Sequence, residues 1–252
     1  MWKTVYQSVQ GTSHLQAGQP CQDSCEVRQV ETPNETVLVL ACSDGAGSAA
    51  FSDVGSRAAC QTLVDLVSAE VRAAGKLDAV DRQRGIAWFE QVHRALAVQA
   101  DLREVDMRQL ACTLLFAVLG QSGAAFGQVG DGAIVAWRDG TYETVFWPQS
   151  GEYVNTTNFV TDPRYPSLVE FAWRDAPIDE AALLSDGLQM LGLDYRLKRA
   201  HDPFFVPMFR SLRNEPDCGK LMEPLRAFLA SPALGERTDD DKTLILATRL
   251  VC

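Results

Sequence analysis

The 252-residue sequence predicts an α+β fold built on antiparallel sheets. Three observations point there. Short apolar runs bounded by Gly, Asp or Ser come in groups, without the strict strand–helix alternation of a doubly wound fold. Two long amphipathic repeats interrupt them early. The tetrapeptide Gly120-Gln121-Ser122-Gly123 separates two such runs at hairpin distance.

The expected strands cover 25–30, 37–42, 111–119, 124–129, 133–137, 181–184 and 243–248, each short and rich in β-branched or aromatic residues. Ala59, Leu63, Val67 and Val71 recur every four residues, which predicts a helix over 52–73 closed by Gly75. Ile86, Phe89, Val92 and Leu96 predict a second over 81–100. Two further helices are expected over 195–212 and 216–229. The stretch 148–166, rich in Asn, Thr, Gly and Pro, fits neither period and reads as an irregular flap within one domain spanning 1–252.

Composition narrows the function. A charged fraction of 22% with 46% hydrophobic residues is globular. The formal net charge of −10 opposes binding to nucleic acid or anionic lipid and gives divalent cations a favourable field. No run approaches the roughly 20 apolar residues of a membrane span, and Met1-Trp2-Lys3-Thr4 opens no leader pattern. The 7 cysteines, odd in number and scattered, read as reduced thiols of a cytoplasmic protein, with Cys42, Cys60 and Cys112 inside apolar runs as core residues.

Aspartates fall at the strand ends. The run 37–42 leads into Asp44-Gly45-Ala46-Gly47, the run 181–184 into Ser185-Asp186-Gly187, and Val129-Gly130 into Asp131-Gly132. Asp239-Asp240-Asp241 precedes the last run, and Asp23 precedes the run from Cys25. One Asp-Gly pair is a turn. Several converging carboxylates repel one another and are costly to desolvate, unless a divalent cation sits among them. Oxygen-only ligands select hard cations such as Mg²⁺ or Mn²⁺. Glycine after Asp44 lets the backbone approach, so the Gly45 carbonyl is a further candidate ligand.

These residues carry a family resemblance. The segment Leu40 to Gly47 followed by Ser56-Arg57-Ala58-Ala59, the turn Gly130-Asp131-Gly132, Leu183-Leu184-Ser185-Asp186-Gly187, Asp240-Asp241-Lys242-Thr243 and Cys21-Gln22-Asp23 resemble, in order, the motifs of the metal-dependent, type 2C serine/threonine phosphatases. Thr113 stands where that family opens a strand with threonine. The resemblance implies a sandwich of two antiparallel sheets flanked by helix pairs. It implies hydrolysis of phosphoserine and phosphothreonine on proteins by a hydroxide bridging two metals, Mn²⁺ or Mg²⁺, with phosphoproteins as substrates and a serine/threonine kinase as a partner. Asp44 would bridge the two metals. Asp186 and Asp240 would complete the first, Asp23 and the Gly45 carbonyl the second, and Asp131 would serve a weaker third.

The departures matter. The family's phosphate-binding Arg has no counterpart between Gly11 and Gln22, where His14 is the side chain able to take that role. Ala46 replaces the histidine of eukaryotic members, Gly132-Ala133 their Ser-Arg, Met190 a further Asp, and Asp241 an Asn; the register among Asp239, Asp240 and Asp241 is open by one residue. Two rivals share the pattern: a pseudophosphatase that binds phosphoproteins without turnover, and a domain whose metal is structural. A zinc site from His14, Cys21 and Cys25 lacks a fourth ligand.

Overall fold

A computed structural model describes residues 1–150 and 157–250. Its strands are β1 (Trp2–Val9), β2 (Ser24–Glu31), β3 (Thr36–Ser43), β4 (Leu114–Leu119), β5 (Ala124–Val129), β6 (Ala133–Arg138), β7 (Thr141–Phe146), β8 (Glu170–Arg174), β9 (Glu180–Leu184), β10 (Leu193–Asp194), β11 (Arg199–Ala200) and β12 (Lys242–Arg249). Its helices are α1 (Thr12–Ala17), α2 (Ser52–Ala74), α3 (Arg82–Asp101), α4 (Tyr165–Leu168), α5 (Gln189–Gly192), α6 (Asp202–Asn214), α7 (Gly219–Leu229) and α8 (Pro232–Gly235).

Ten strands form two antiparallel five-stranded sheets, ordered β1-β12-β9-β6-β7 and β2-β3-β4-β5-β8. The two-residue period of a strand explains how they stack. In β3, Leu38, Leu40 and Cys42 meet Leu183 and Ile245 of the other sheet, while Val37, Val39 and Ala41 face the apolar stripes of α2 and α3. In β12, Ile245 and Ala247 point to the same inter-sheet core, and Leu244 and Leu246 turn outward to Phe205 and Leu229 of α6 and α7. Helix pair, sheet, sheet and helix pair therefore make four layers. Both faces of β3, β4 and β12 are covered, which is why these antiparallel strands read as unbroken apolar runs.

Several expectations shift. The helix expected over 195–212 begins at Asp202. Ahead of it, Leu193 pairs with Ala200 and Asp194 with Arg199. The Asp194 side chain accepts from the backbone N–H groups of Arg196 and Leu197 at 3.1 and 3.0 Å, and Lys198 takes a positive φ of 48°. A carboxylate that captures turn amides outcompetes the helix there, and Pro203 suits the first turn of the helix that follows. The helix expected from residue 216 starts at Gly219. The strand expected from 111 starts at Leu114, because 111–113 pair with the loop after β3 instead. Half-buried β1, β7 and β8 and the short α1 carried no clear period and are additions. The irregular stretch 148–166 lies partly on 151–156, outside the described residues. No described helix is long and apolar enough to cross a membrane.

Phe116 anchors the layer between α3 and the second sheet. It is fully buried, with its ring 5.6 Å from that of Trp88 and 5.5 Å from that of Phe89. Phe116→Ala should destabilise the chain by about 3–5 kcal/mol. Urea unfolding measures this; a loss below about 1 kcal/mol would mean that the ring is not packed as described.

Candidate metal centre

The site forms where strand ends of the two sheets meet. β3 delivers Asp44, and the loop behind it is stitched to residues 111–113. The Asp44 N–H donates to Thr113 Oγ1 at 2.9 Å, the Thr113 N–H returns to the Asp44 carbonyl at 2.8 Å, and the Ala46 N–H donates to the Ala111 carbonyl at 2.9 Å. Gly45 is buried at this crossing. A Cβ there would lie 2.7 Å from the Gln22 carbonyl oxygen and 2.8 Å from that of Ser52, so only glycine fits.

β5 delivers Asp131 across Gly130, whose φ of 122° calls for glycine. The Asp131 carbonyl accepts from the Gln189 side chain, and Oδ2 accepts from Thr157 Oγ1 at 2.7 Å. From the other sheet, β9 delivers Asp186. One carboxylate oxygen from each of Asp44, Asp131 and Asp186 lies within 4.8 Å of the other two, a spacing one cation can span.

Asp23 stands beside this group. It is 7% exposed, and its Oδ2 accepts from Ser185 Oγ and Thr243 Oγ1, both at 2.7 Å. Asp240 lines the same cavity, of about 580 Å³, together with Asp44, Gly45, Asp186, His14 and Phe159. Asp241 is 2% exposed and turned inward, while Asp239 and Asp240 face the cavity. Of the residues named from the sequence, Asp44, Asp131 and Asp186 share a ligand-sized space, His14, Gly45 and Asp240 line the adjoining cavity, and Asp23 lies beside them, bonded to Ser185. Sequence reasoning missed the hydroxyls of Ser185, Thr243 and Thr157 and the amide of Gln189; Ser185 and Thr243 stand inside the very motifs quoted for their aspartates.

The arrangement fits divalent cations. Asp23 Oδ1, Asp131 Oδ1, Asp186 Oδ1 and Gln22 Oε1 are buried without a hydrogen-bond partner, which a protein rarely tolerates. The donor set is oxygen only, the chemistry of Mg²⁺ and Mn²⁺. Electrostatics agree. Burial, then repulsion from Asp23 and Asp186, holds the Asp44 carboxyl well above the usual carboxylate range. Burial pushes Asp23 up to about 8, against the pull of its two hydroxyl donors, and Asp186 up to about 6, with Asp131 adding repulsion. Asp131 rises for the same first cause.

The sign of the resulting pH effect follows from linkage. Raised carboxyl values mean that the metal-free folded chain binds more protons than the unfolded chain. Its stability is then fullest below the unfolded value near 4 and falls as pH rises through about 6 and about 8. Without metal, the melting temperature should drop across that window. Mn²⁺ should raise it most at the upper end, where the ligands ionise readily. Calorimetry over this range with and without chelator checks both; a metal-free melting temperature that climbs from pH 5 to 8 would contradict the charge cluster.

The protein phosphatase 2C family profile matches residues 10–230. Serine/threonine-protein phosphatase 3 of Escherichia coli (strain K12) is 34% identical over 250 residues, covering 98% of each chain. The fold is shared with the catalytic domain of the serine threonine protein phosphatase PstP, solved in complex with 2 manganese ions, at a TM-score of 0.63 and 16% identity over 98% of this chain and 97% of that one. It is shared also with the serine/threonine phosphatase Stp1 from Staphylococcus aureus, at 0.60 and 17% over 100% and 96%. With a profile match over most of its length and a full-length relative above 30% identity, the chain belongs to the protein phosphatase 2C family.

Proposed function

We propose that this chain is a metal-dependent protein phosphatase that hydrolyses phosphoserine and phosphothreonine esters on proteins. The observation that carries the reading is the group of Asp44, Asp131 and Asp186 beside a cavity, with orphaned carboxylate oxygens on Asp131 and Asp186. The name of the E. coli relative supports the substrate class, and the two manganese ions of the PstP domain support the cofactor.

Asp44 would give an oxygen to each of two cations, Mn²⁺ or Mg²⁺. Asp186 and Asp240 would complete one position, Asp23 and the Gly45 carbonyl the other, and Asp131 a third and weaker one. When bound, such cations would supply the Lewis acidity that makes water nucleophilic near neutral pH and would offset charge on the phosphoryl oxygens. The remaining work falls to the chain. Ser185 and Thr243 fix the Asp23 carboxylate by its Oδ2 and leave Oδ1 free. Thr113 holds the Asp44 backbone from both sides. His14 meets a phosphoryl oxygen from the cavity wall. Ala46 offers no proton donor, so the departing seryl or threonyl oxygen takes its proton from water in the cavity.

The pseudophosphatase reading is less well supported. A site that only bound phosphoprotein would gain nothing from buried, mutually repelling carboxylates without partners. We place the protein in the cytoplasm, acting as a single domain on phosphoproteins modified by a serine/threonine kinase. The flap over 148–166 borders the site through Thr157 and Phe159 and sets which peptides enter.

The purified chain should release phosphate from phosphoserine and phosphothreonine peptides with Mn²⁺ and stop with chelator. Asp44→Asn should lower kcat at least about a hundredfold, more than loss of an outer ligand usually costs, with the fold retained by circular dichroism. Turnover near the wild-type rate in that variant would remove Asp44 from the bridging role. Replacing residues 150–156 of this stretch with a glycine-serine linker of equal length, which keeps Thr157, Val160 and Tyr165, should change the order of preference among phosphopeptides while sparing hydrolysis of a small aryl phosphate; unchanged preference would deny the flap its role.

A further inference from the structure

The cavity wall contains no Lys or Arg among the described residues, and His14 is its one side chain with a ring nitrogen. Among the described residues, a phosphate dianion entering a pocket of aspartates therefore has a single side-chain nitrogen to meet besides any cation. That donor sits on α1, a helix of six residues, at 8% exposure. Something other than α1 must hold the ring.

Asp241 does so. Its carboxylate is 2% exposed and reaches three groups from two segments. Oδ1 accepts from the Gly11 N–H at 2.6 Å, and Oδ2 from the Gln22 N–H at 2.5 Å. His14 Nδ1 lies 2.9 Å from Oδ1, an ion-pair distance, though not aligned as a hydrogen bond. The other nitrogen, Nε2, faces Gly47 in the loop after Asp44. A side-chain carbon on Gly47 would sit 3.8 Å from it. Thus Nδ1 is turned to Asp241 and Nε2 to the cavity. Backbone contact fixes the helix start as well, since the Ser13 N–H donates to the Asp239 carbonyl at 2.9 Å.

We propose that Asp241 is a positioning residue: it takes no part in binding metal but clamps Gly11, Gln22 and the His14 ring so that Nε2 is aimed at the phosphoryl group. Adjacent residues then divide the work, Asp240 turned to the cations and Asp241 to the histidine. The inference rests on the reading of His14 as the phosphate contact.

The test is a double-mutant cycle on phosphopeptide hydrolysis at saturating Mn²⁺, with inorganic phosphate as competitive inhibitor. His14→Ala should raise KM and the phosphate inhibition constant about fivefold, with kcat changed less than about twofold. Asp241→Asn, which is isosteric but uncharged and unable to accept from both the Gly11 and the Gln22 N–H, should do the same, and should add nothing in the His14→Ala background. An unaltered inhibition constant in Asp241→Asn, or an equal further loss in the double variant, overturns the inference. If His14→Ala alone changes neither constant, the reading of His14 fails first. Should Asp241→Asn not fold, ¹⁵N-histidine spectra of the wild type decide: inorganic phosphate should shift His14 Nε2 and leave Nδ1 in place, and movement of Nδ1 alone, or of neither, overturns it.

Discussion

The crowding of carboxylates in a poorly solvated cleft is the constraint around which this molecule is organised. Asp44, Asp131 and Asp186 bring oxygens within 4.8 Å, and Asp23 adds a buried carboxyl beside them. In water such groups would separate. Here they are held together by bonds to the backbone around them, exchanged between Asp44 and Thr113 and donated by Gln189 to Asp131, and by hydroxyls of Ser185 and Thr243 on Asp23. None of these donors supplies a full positive charge. The cluster is balanced for an external cation and not for a salt bridge within the chain.

The two-sheet architecture is what makes convergence possible. Asp44 and Asp131 come from one sheet, Asp186 and Asp240 from the other, and the inter-sheet layer of Leu40, Phe126, Leu183 and Ile245 sets the separation of the strand ends. A void in that layer would be felt at the centre, since strands transmit displacement along their length. The same geometry explains the glycines beside the acids. At Gly45 a side chain would strike two carbonyl oxygens, and at Gly187 it would strike the Asp241 carbonyl. These loops approach too closely for anything larger.

Much of this was legible in the residues, and the rest was hidden for physical reasons. Asp-Gly pairs after apolar runs identified the strand ends, because a strand covered on both faces shows as an unbroken run. β1, β7 and β8 are only partly covered and mix polar with apolar positions, so no period stands out. The segment ahead of α6 looked helical by composition, but Asp194 captures its turn amides. Which of Asp239, Asp240 and Asp241 faces the cavity depends on where β12 meets β9, a register set by distant residues such as Leu183 and Ile245. The inward turn of Asp241, and its meeting with Gly11, Gln22 and His14, joins segments more than two hundred residues apart and leaves no local trace.

The central claim is geometric, and diffraction tests it most directly. Crystals grown with Mn²⁺ and measured at the manganese edge should show two strong anomalous peaks, with Asp44 in contact with both and Asp23, Asp186 and Asp240 around them. A single peak, or peaks that leave Asp44 uncoordinated, would contradict the account.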